Sequence, residues 1–258
     1  MDAPLYDELA RVETTHWWFR ARRKIVWSLV ERYVGGERGR RINICELGCG
    51  TGGNLASIAG EHDVVGIECS PQALWYAQNA LGDRVRYGRL PDEIDLPAGS
   101  FDVVLLTDVL EHLEDDAASA HAALQLLKVG GIVVATVPAY QWLYSPRDAK
   151  HHHFRRYGKR QFSALWKSAA AETVLLTHYN TLLFPLAAAV RMASKTMAPK
   201  RGCGDLSLPA PPINNLLLQL MGSEANLLGR VPFPFGLSLV AVIRKTRAPV
   251  SNELRFAA

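Results

Sequence analysis

The 258-residue sequence predicts an α/β protein: a doubly wound, mostly parallel sheet of seven strands, preceded by helices and carrying a helical insertion before its last strand. Three observations carry this expectation. β-Branched segments alternate with helix-compatible ones from residue 42 to residue 178, the pattern of a parallel sheet covered on both faces. A glycine-rich stretch, Glu46-Leu47-Gly48-Cys49-Gly50-Thr51-Gly52-Gly53-Asn54, follows the first strand and leads into a helix. The chain is also long enough to bury one substantial core with a small cap.

Residues 4–34 read as helical, with apolar positions recurring every three or four residues through Ile25, Leu29, Val30 and Tyr33. Gly35-Gly36 and Gly39 mark a linker. The core then runs as strand 42–47, helix 53–60, strand 63–67, helix 71–80, short strand 84–87, strand 101–106, helix 116–127 and strand 131–137. Ser70 before Pro71 is a helix start, and Gly130-Gly131 reads as the end of one helix and the opening of the next strand. A loop over 138–159 precedes helix 160–171 and strand 172–178. Two apolar helical stretches, 182–198 and 213–228, surround a Pro/Gly-rich loop, and 236–245 reads as the final sheet strand. The expected organisation is an N-terminal helical lid (1–40), a cofactor-binding core (41–179), a helical cap (180–235), and the last core strand with its tail (236–258).

Composition is that of a soluble enzyme, 48% hydrophobic and 21% charged. The acidic N-terminus lacks an apolar signal region, and Leu182 to Ala189 falls short of the ~20 residues of a membrane span, so a cytoplasmic location without transmembrane span is expected. Cys45, Cys49, Cys69 and Cys203 form no CxxC pair and no zinc spacing, which suits reduced thiols. The net charge of +4 is clustered in Arg20/Arg22/Arg23/Lys24, in Arg38/Arg40/Arg41 and in Lys150/Arg155/Arg156/Lys159/Arg160. Such clusters either face solvent or meet an anion.

The glycines let the backbone turn tightly and approach a ligand where a Cβ would collide. Glu68, about twenty residues on, closes the next strand where a ribose diol could bond it. Gly48-x-Gly50-x-x-Gly53 also satisfies the dinucleotide pattern, a weak signal alone. Glu46 argues against a pyrophosphate there, because two negative groups would repel, and suits a cationic ligand with an amino group and a sulfonium. Further on, Phe101-Asp102-Val103-Val104 leads into Asp108-Val109-Leu110-Glu111-His112-Leu113.

Together these motifs resemble the class I S-adenosylmethionine-dependent methyltransferases over roughly residues 40 to 180, and the resemblance implies a Rossmann-like fold with an antiparallel last strand. It implies further that Glu46 and Gly48 lie by the methionine moiety, Glu68 holds the ribose, and Asp108 and Val109 border the methionine end or the transferring methyl. Gly50, Gly52, Asn54, Cys69 and His112 complete the expected cofactor surround, with His112 supporting the active-site loop. Many relatives place an acid after the glycine equivalent to Gly88; here Arg89 follows, leaving adenine to the Leu90 backbone. The His16-Trp17-Trp18-Phe19 segment and the run from His152 to Tyr157 resemble a bacterial subgroup associated with polysaccharide, glycolipid or natural-product pathways.

Methyl transfer from a sulfonium needs chiefly an aligned nucleophile and exclusion of water, with a base only for a proton not readily lost. Candidates come from Tyr140, Tyr144, Asp148, His151, His152, His153, Arg156 and Tyr157, in the loop that opens at the cofactor edge of the sheet. Asp148, His152 and Tyr157 are the expected catalytic groups, joined by His16 of the N-terminal segment. That aromatic segment is either a hydrophobic latch or a lid, with His16 or Trp17 reaching the cleft. The triple histidine invites a metal reading, set aside because adjacent residues of an extended chain do not face one way. The leading function is a methyltransferase acting on a small-molecule or glycan acceptor, at oxygen ahead of nitrogen or carbon. A nucleic-acid methyltransferase lacks the Asn/Asp-Pro-Pro-aromatic segment after the fourth strand. A non-catalytic cofactor-binding protein, dimeric through the apolar insertion, and an NAD-dependent enzyme are the remaining readings.

Overall fold

The computed structural model describes residues 3–36, 39–189 and 206–247. Seven strands form one sheet in the order β3-β2-β1-β4-β5-β7-β6: β1 (Asn43–Leu47), β2 (Asp63–Glu68), β3 (Val85–Tyr87), β4 (Phe101–Thr107), β5 (Leu127–Pro138), β6 (Ala171–Tyr179) and β7 (Ser238–Lys245). The first five are parallel, and β7 runs antiparallel between β5 and β6. This is the expected doubly wound, mostly parallel sheet.

Alternate residues of each central strand feed two cores. Ile44, Leu105, Val134 and Val242 face one side, under α2 (Trp17–Tyr33) and α8 (Pro211–Ser223). Cys45, Val104, Val133 and Ala241 face the other, under α5 (Asp116–Leu126) and α7 (Lys159–Ala164). A sheet covered on both faces needs strands apolar at every position, and β4 is buried throughout.

Several boundaries depart from the sequence expectation. The N-terminal helix is two, α1 (Ala3–Val12) and α2, broken where the His16 ring accepts the Trp18 N–H and caps α2. The helix expected over 53–60 is the single turn α3 (Gly53–Ala56), and α5 stops at Leu126. Gly130 and Gly131 therefore lie inside β5; a Cβ on Gly131 would stand 3.0 Å from the carbonyls of Phe101, Asp102 and Lys128. The helix expected over 160–171 ends at Ala164, and the loop 138–159 contains α6 (Pro146–Lys150). A helical stretch at 184–189 and α8 stand in the predicted insertion. The expectations for 190–198, Cys203 and the tail 248–258 lie outside the described residues. Among the described residues no helix is long and apolar enough to cross a membrane.

The insertion is tied down at its root. The Glu224 carboxylate accepts the backbone N–H groups of Asn180, Thr181 and Leu182 at 2.6, 2.7 and 3.0 Å. Asn214 of α8 accepts the Trp17 N–H and donates to the Thr15 carbonyl, joining cap to N-terminal helices.

Candidate active site

Register places the site. Thr107 pairs with Thr136, Pro138 with Ser238, and Ser238 with Tyr179, so the ends of β4, β5 and β6 share one edge with the turn after β1. Gly48 and Cys49 donate their N–H groups to the Ile67 carbonyl, which fastens that turn across the end of β2. Gly48, Gly50 and Gly52 have φ of 70°, 57° and 86°. A Cβ on Gly48 would fall 2.8 Å from the Val109 side chain, so the turn and the loop after β4 meet only because residue 48 is glycine.

Glu46, 1% exposed, points along this edge. Its Oε1 accepts from Asn54 Nδ2 at 2.7 Å and Thr107 Oγ1 at 2.8 Å. Its Oε2 is buried with no partner, and burial pushes the carboxyl above its ordinary range against those two bonds. Asn54, expected at the cofactor, serves to hold Glu46. Glu68 accepts Gly50 N–H on Oε2, and Cys69 and Ser70 N–H on Oε1, at 2.8–3.0 Å. A carboxylate offers about four lone-pair sites, so one on Oε2 remains for a hydroxyl. Tyr6 lies against Glu68 and Ser70, and burial raises its phenol to about 12. On the far side, Tyr87, the ladder partner of Glu68, lines a cleft of about 340 Å³ with Gly88, Asp92, Glu93, Ile94 and Asp95. Leu90 is half-buried beside it, packed against the core.

The N-terminal helices close over the turn. Asp7 of α1 accepts from Gln72 and Tyr76 of α4 (Pro71–Leu81). Glu13 reaches the Gly53 N–H through the space a Cβ would fill, and burial raises its carboxyl. Arg22 of α2 pairs with Asp108 at 2.5 Å, and Asp108 also accepts from Thr136 Oγ1 at 3.0 Å. Arg22 Nε and Arg23 Nε are buried without partners. Trp17 stacks beside His16 and packs on the core, while Trp18 stacks on Tyr179, which burial holds un-ionised. The sequence marked Arg22 and Arg23 only as part of a basic cluster, and gave no sign of Tyr6, Glu13 or Tyr179.

Of the expected catalytic groups, Asp148, Tyr157 and His16 are buried in structural contacts, and His152 is exposed. Asp148 belongs to a capping box with Ser145 and to a buried ion pair with Arg156 at 2.7 Å; its neighbours hold its carboxyl well below the usual range. Tyr157 is fully buried, its hydroxyl 2.7 Å from Asp116, and burial with that carboxylate raises its phenol far out of the physiological range. His16 is the helix cap, and burial with Arg147 nearby lowers its imidazole. His152 is exposed in a left-handed turn, φ 58°. His153 instead packs edge-on against His112, ring centroids 4.6 Å apart, and burial lowers the His112 imidazole to about 3. Glu111, fully buried beside them, was not singled out from the sequence.

Beyond this edge Tyr140, Trp142, Phe184 and Phe235 form a chain of aromatic contacts at 5.5–5.7 Å, and Tyr140 stacks on His178. The arrangement offers a cation-accepting carboxylate, buried guanidinium groups and a partly exposed aromatic surface. Those groups fit an amino-acid zwitterion carried on a nucleoside, because the orphan Glu46 Oε2 can take an ammonium and the orphan arginine Nε atoms a carboxylate.

Residues 17–179 match a family model described as a methyltransferase domain. The chain is 37% identical over 99 residues to ubiquinone biosynthesis O-methyltransferase of Psychrobacter cryohalolentis, covering 35% of this chain and 38% of that protein. It is 27% identical over 153 residues to ajmaline N-methyltransferase of Rauvolfia serpentina, 56% of this chain and 51% of that one. The chain thus spans between a third and about half the length of these relatives. Among solved structures the [4+2]-cyclase SpnF aligns with a TM-score of 0.56 and 19% identity over 90% of this chain and 84% of its own, a likeness of fold alone.

Proposed function

The chain belongs to the methyltransferase-domain family, whose methyl donor is S-adenosylmethionine, and on that premise we propose that it methylates an oxygen of a small-molecule acceptor. The observation that supports the reading is a set of buried orphan polar atoms, Glu46 Oε2 beside the glycine turn and Arg22 Nε and Arg23 Nε of α2, whose charges Glu46 influences. When bound, S-adenosylmethionine supplies an electrophilic methyl group for in-line displacement. Glu46 would receive its ammonium group, Arg22 and Arg23 its carboxylate, and the remaining lone pair of Glu68 a ribose hydroxyl. Asp108 positions Arg22 rather than touching the donor. Tyr6, Glu13 and Trp18 exclude water from above, which strengthens each of these contacts.

For the acceptor, the aromatic surface favours a molecule with an apolar ring or chain and a hydroxyl, phenolic or sugar-borne. Oxygen is preferred because the ubiquinone-pathway relative is an O-methyltransferase at higher identity than the N-methyltransferase. Calorimetric titration with S-adenosylmethionine, S-adenosylhomocysteine and NAD tests the cofactor, followed by a turnover screen of catechols, prenylated phenols and sugars. Binding of the first two alone, and methyl ethers among the products, are expected. Binding of NAD alone, or turnover only of amines or nucleic acid, would overturn the proposal.

A further inference from the structure

We propose that Glu111, His112 and His153 form a site for one divalent transition-metal cation of the Mn²⁺, Co²⁺ or Zn²⁺ class. One ligand atom from each lies within 4.8 Å of the others. Glu111 is 0% exposed, and neither carboxylate oxygen has a hydrogen-bond partner. A buried carboxylate with nothing to bond is costly, and a cation offsets that cost directly. The guanidinium groups nearest to it, Arg22 and Arg156, are already engaged by Asp108 and Asp148.

Both imidazoles are held as ligands are held. His153 Nδ1 meets Asp148 Oδ1 at 3.2 Å, so a cation would be taken by its other nitrogen, Nε2. Asp148 is itself fixed by Ser145 and Arg156, giving a carboxylate behind a histidine, the usual outer layer of a metal site. The His112 ring meets the His152 backbone, again leaving one nitrogen. The two rings stand at 88°, edge to face, and the Phe154 N–H bonds the Glu111 carbonyl at 2.8 Å, locking the two segments together. Only the third member of the histidine run takes part, so the divergence of adjacent side chains does not exclude the site. Two imidazoles and one carboxylate favour borderline first-row cations over Mg²⁺. Three protein ligands leave coordination positions open for water or another oxygen ligand.

The test uses the full chain, freed of metal with chelator and titrated with CoCl₂, then with Mn²⁺ and Zn²⁺ by calorimetry, in the absence of any cofactor. Expected are visible d–d absorption bands saturating at one equivalent, and affinity lowered about tenfold to a hundredfold in both Glu111→Gln and His153→Ala. His121→Ala, which removes a surface histidine bonded to Gln125, should bind as the parent does. Thermal melts establish that each variant is folded, and Glu111→Gln keeps the side-chain shape. No cobalt spectrum, or an affinity unchanged in both folded variants, would overturn the site and leave an edge-on histidine pair over a buried carboxyl. S-adenosylmethionine binding to the metal-free protein separates the two readings. Donor binding without metal binding sinks this site alone, and metal binding without donor binding sinks only the methyl-transfer reading.

Discussion

Glu46 and Asp148 are both buried carboxylates, and their surroundings give them opposite pH signatures. Burial raises the Glu46 carboxyl, so the folded chain holds its proton longer than the unfolded chain. Its contribution to stability is therefore greatest at acid pH and falls as pH rises above about 4.3. Glu46→Gln should melt at or above the parent temperature, by a margin that widens from pH 4 to 7, while S-adenosylmethionine affinity drops about tenfold or more as a charged hydrogen bond is lost. A variant that binds the donor normally would remove Glu46 from the ammonium role. Asp148 is the reverse case, because His153, Arg156 and Ser145 hold its carboxyl far below the usual range. Its stabilisation is complete above about pH 3.9 and is lost as pH falls below that value. Asp148→Asn strands the buried Arg156 and should cost about 3–5 kcal/mol at neutral pH, with a shallower acid limb in urea melts at a series of pH values. Residue type alone cannot separate these cases. Asp148 and Tyr157 carry the chemistry of catalysis in the sequence, yet the fold spends them on Arg156 and Asp116.

At the scale of elements, a signal completed within one turn is legible in the sequence, whereas one that depends on a distant neighbour is not. Ser70-Pro71 starts a helix where expected, since cap and proline act within one turn. Gly130-Gly131 misled because a glycine pair suits a helix end, whereas here it relieves crowding where β5 changes register against β4. Arg22 and Asp108 lie 86 residues apart, so nothing in either segment announces their pairing. The glycine turn is the element most exposed to test. Gly48→Ala introduces a methyl 2.8 Å from Val109 in a backbone conformation with φ of 70°. It should destabilise the fold by about 1–3 kcal/mol and abolish donor binding as the turn withdraws from the β4 loop. Adding Val109→Ala should recover part of the stability, since it removes the clash but not the backbone strain. A double variant no more stable than Gly48→Ala would show that the two elements do not meet as described.

On the scale of the whole molecule, the proposed donor groups and the proposed acceptor groups come from different parts of the sheet edge. The donor half was legible because it is built from one contiguous turn and the acid that closes the next strand, whose spacing the parallel topology fixes. The acceptor half was not, because its aromatic surface is assembled from the loop after β5, the end of β6 and the insertion, three segments with no common motif. This division has a kinetic consequence. Trp142 is 51% exposed, and Phe184 is half-buried against Tyr140, Trp142 and Phe235, so neither supports the core. Truncating an aromatic side chain that an apolar acceptor buries forfeits about 1.5–3 kcal/mol, or roughly tenfold to a hundredfold. Trp142→Ala and Phe184→Ala should raise the acceptor KM by about that factor and leave S-adenosylhomocysteine affinity within about twofold, because Glu46, Glu68 and Arg22 are untouched. The loss should grow with the apolar bulk of the acceptor and vanish for a free sugar. Steady-state kinetics with a short and a prenylated phenol would decide it: equal effects on both acceptors, or a matching loss of cofactor affinity, would mean that this aromatic surface serves the fold and not the substrate.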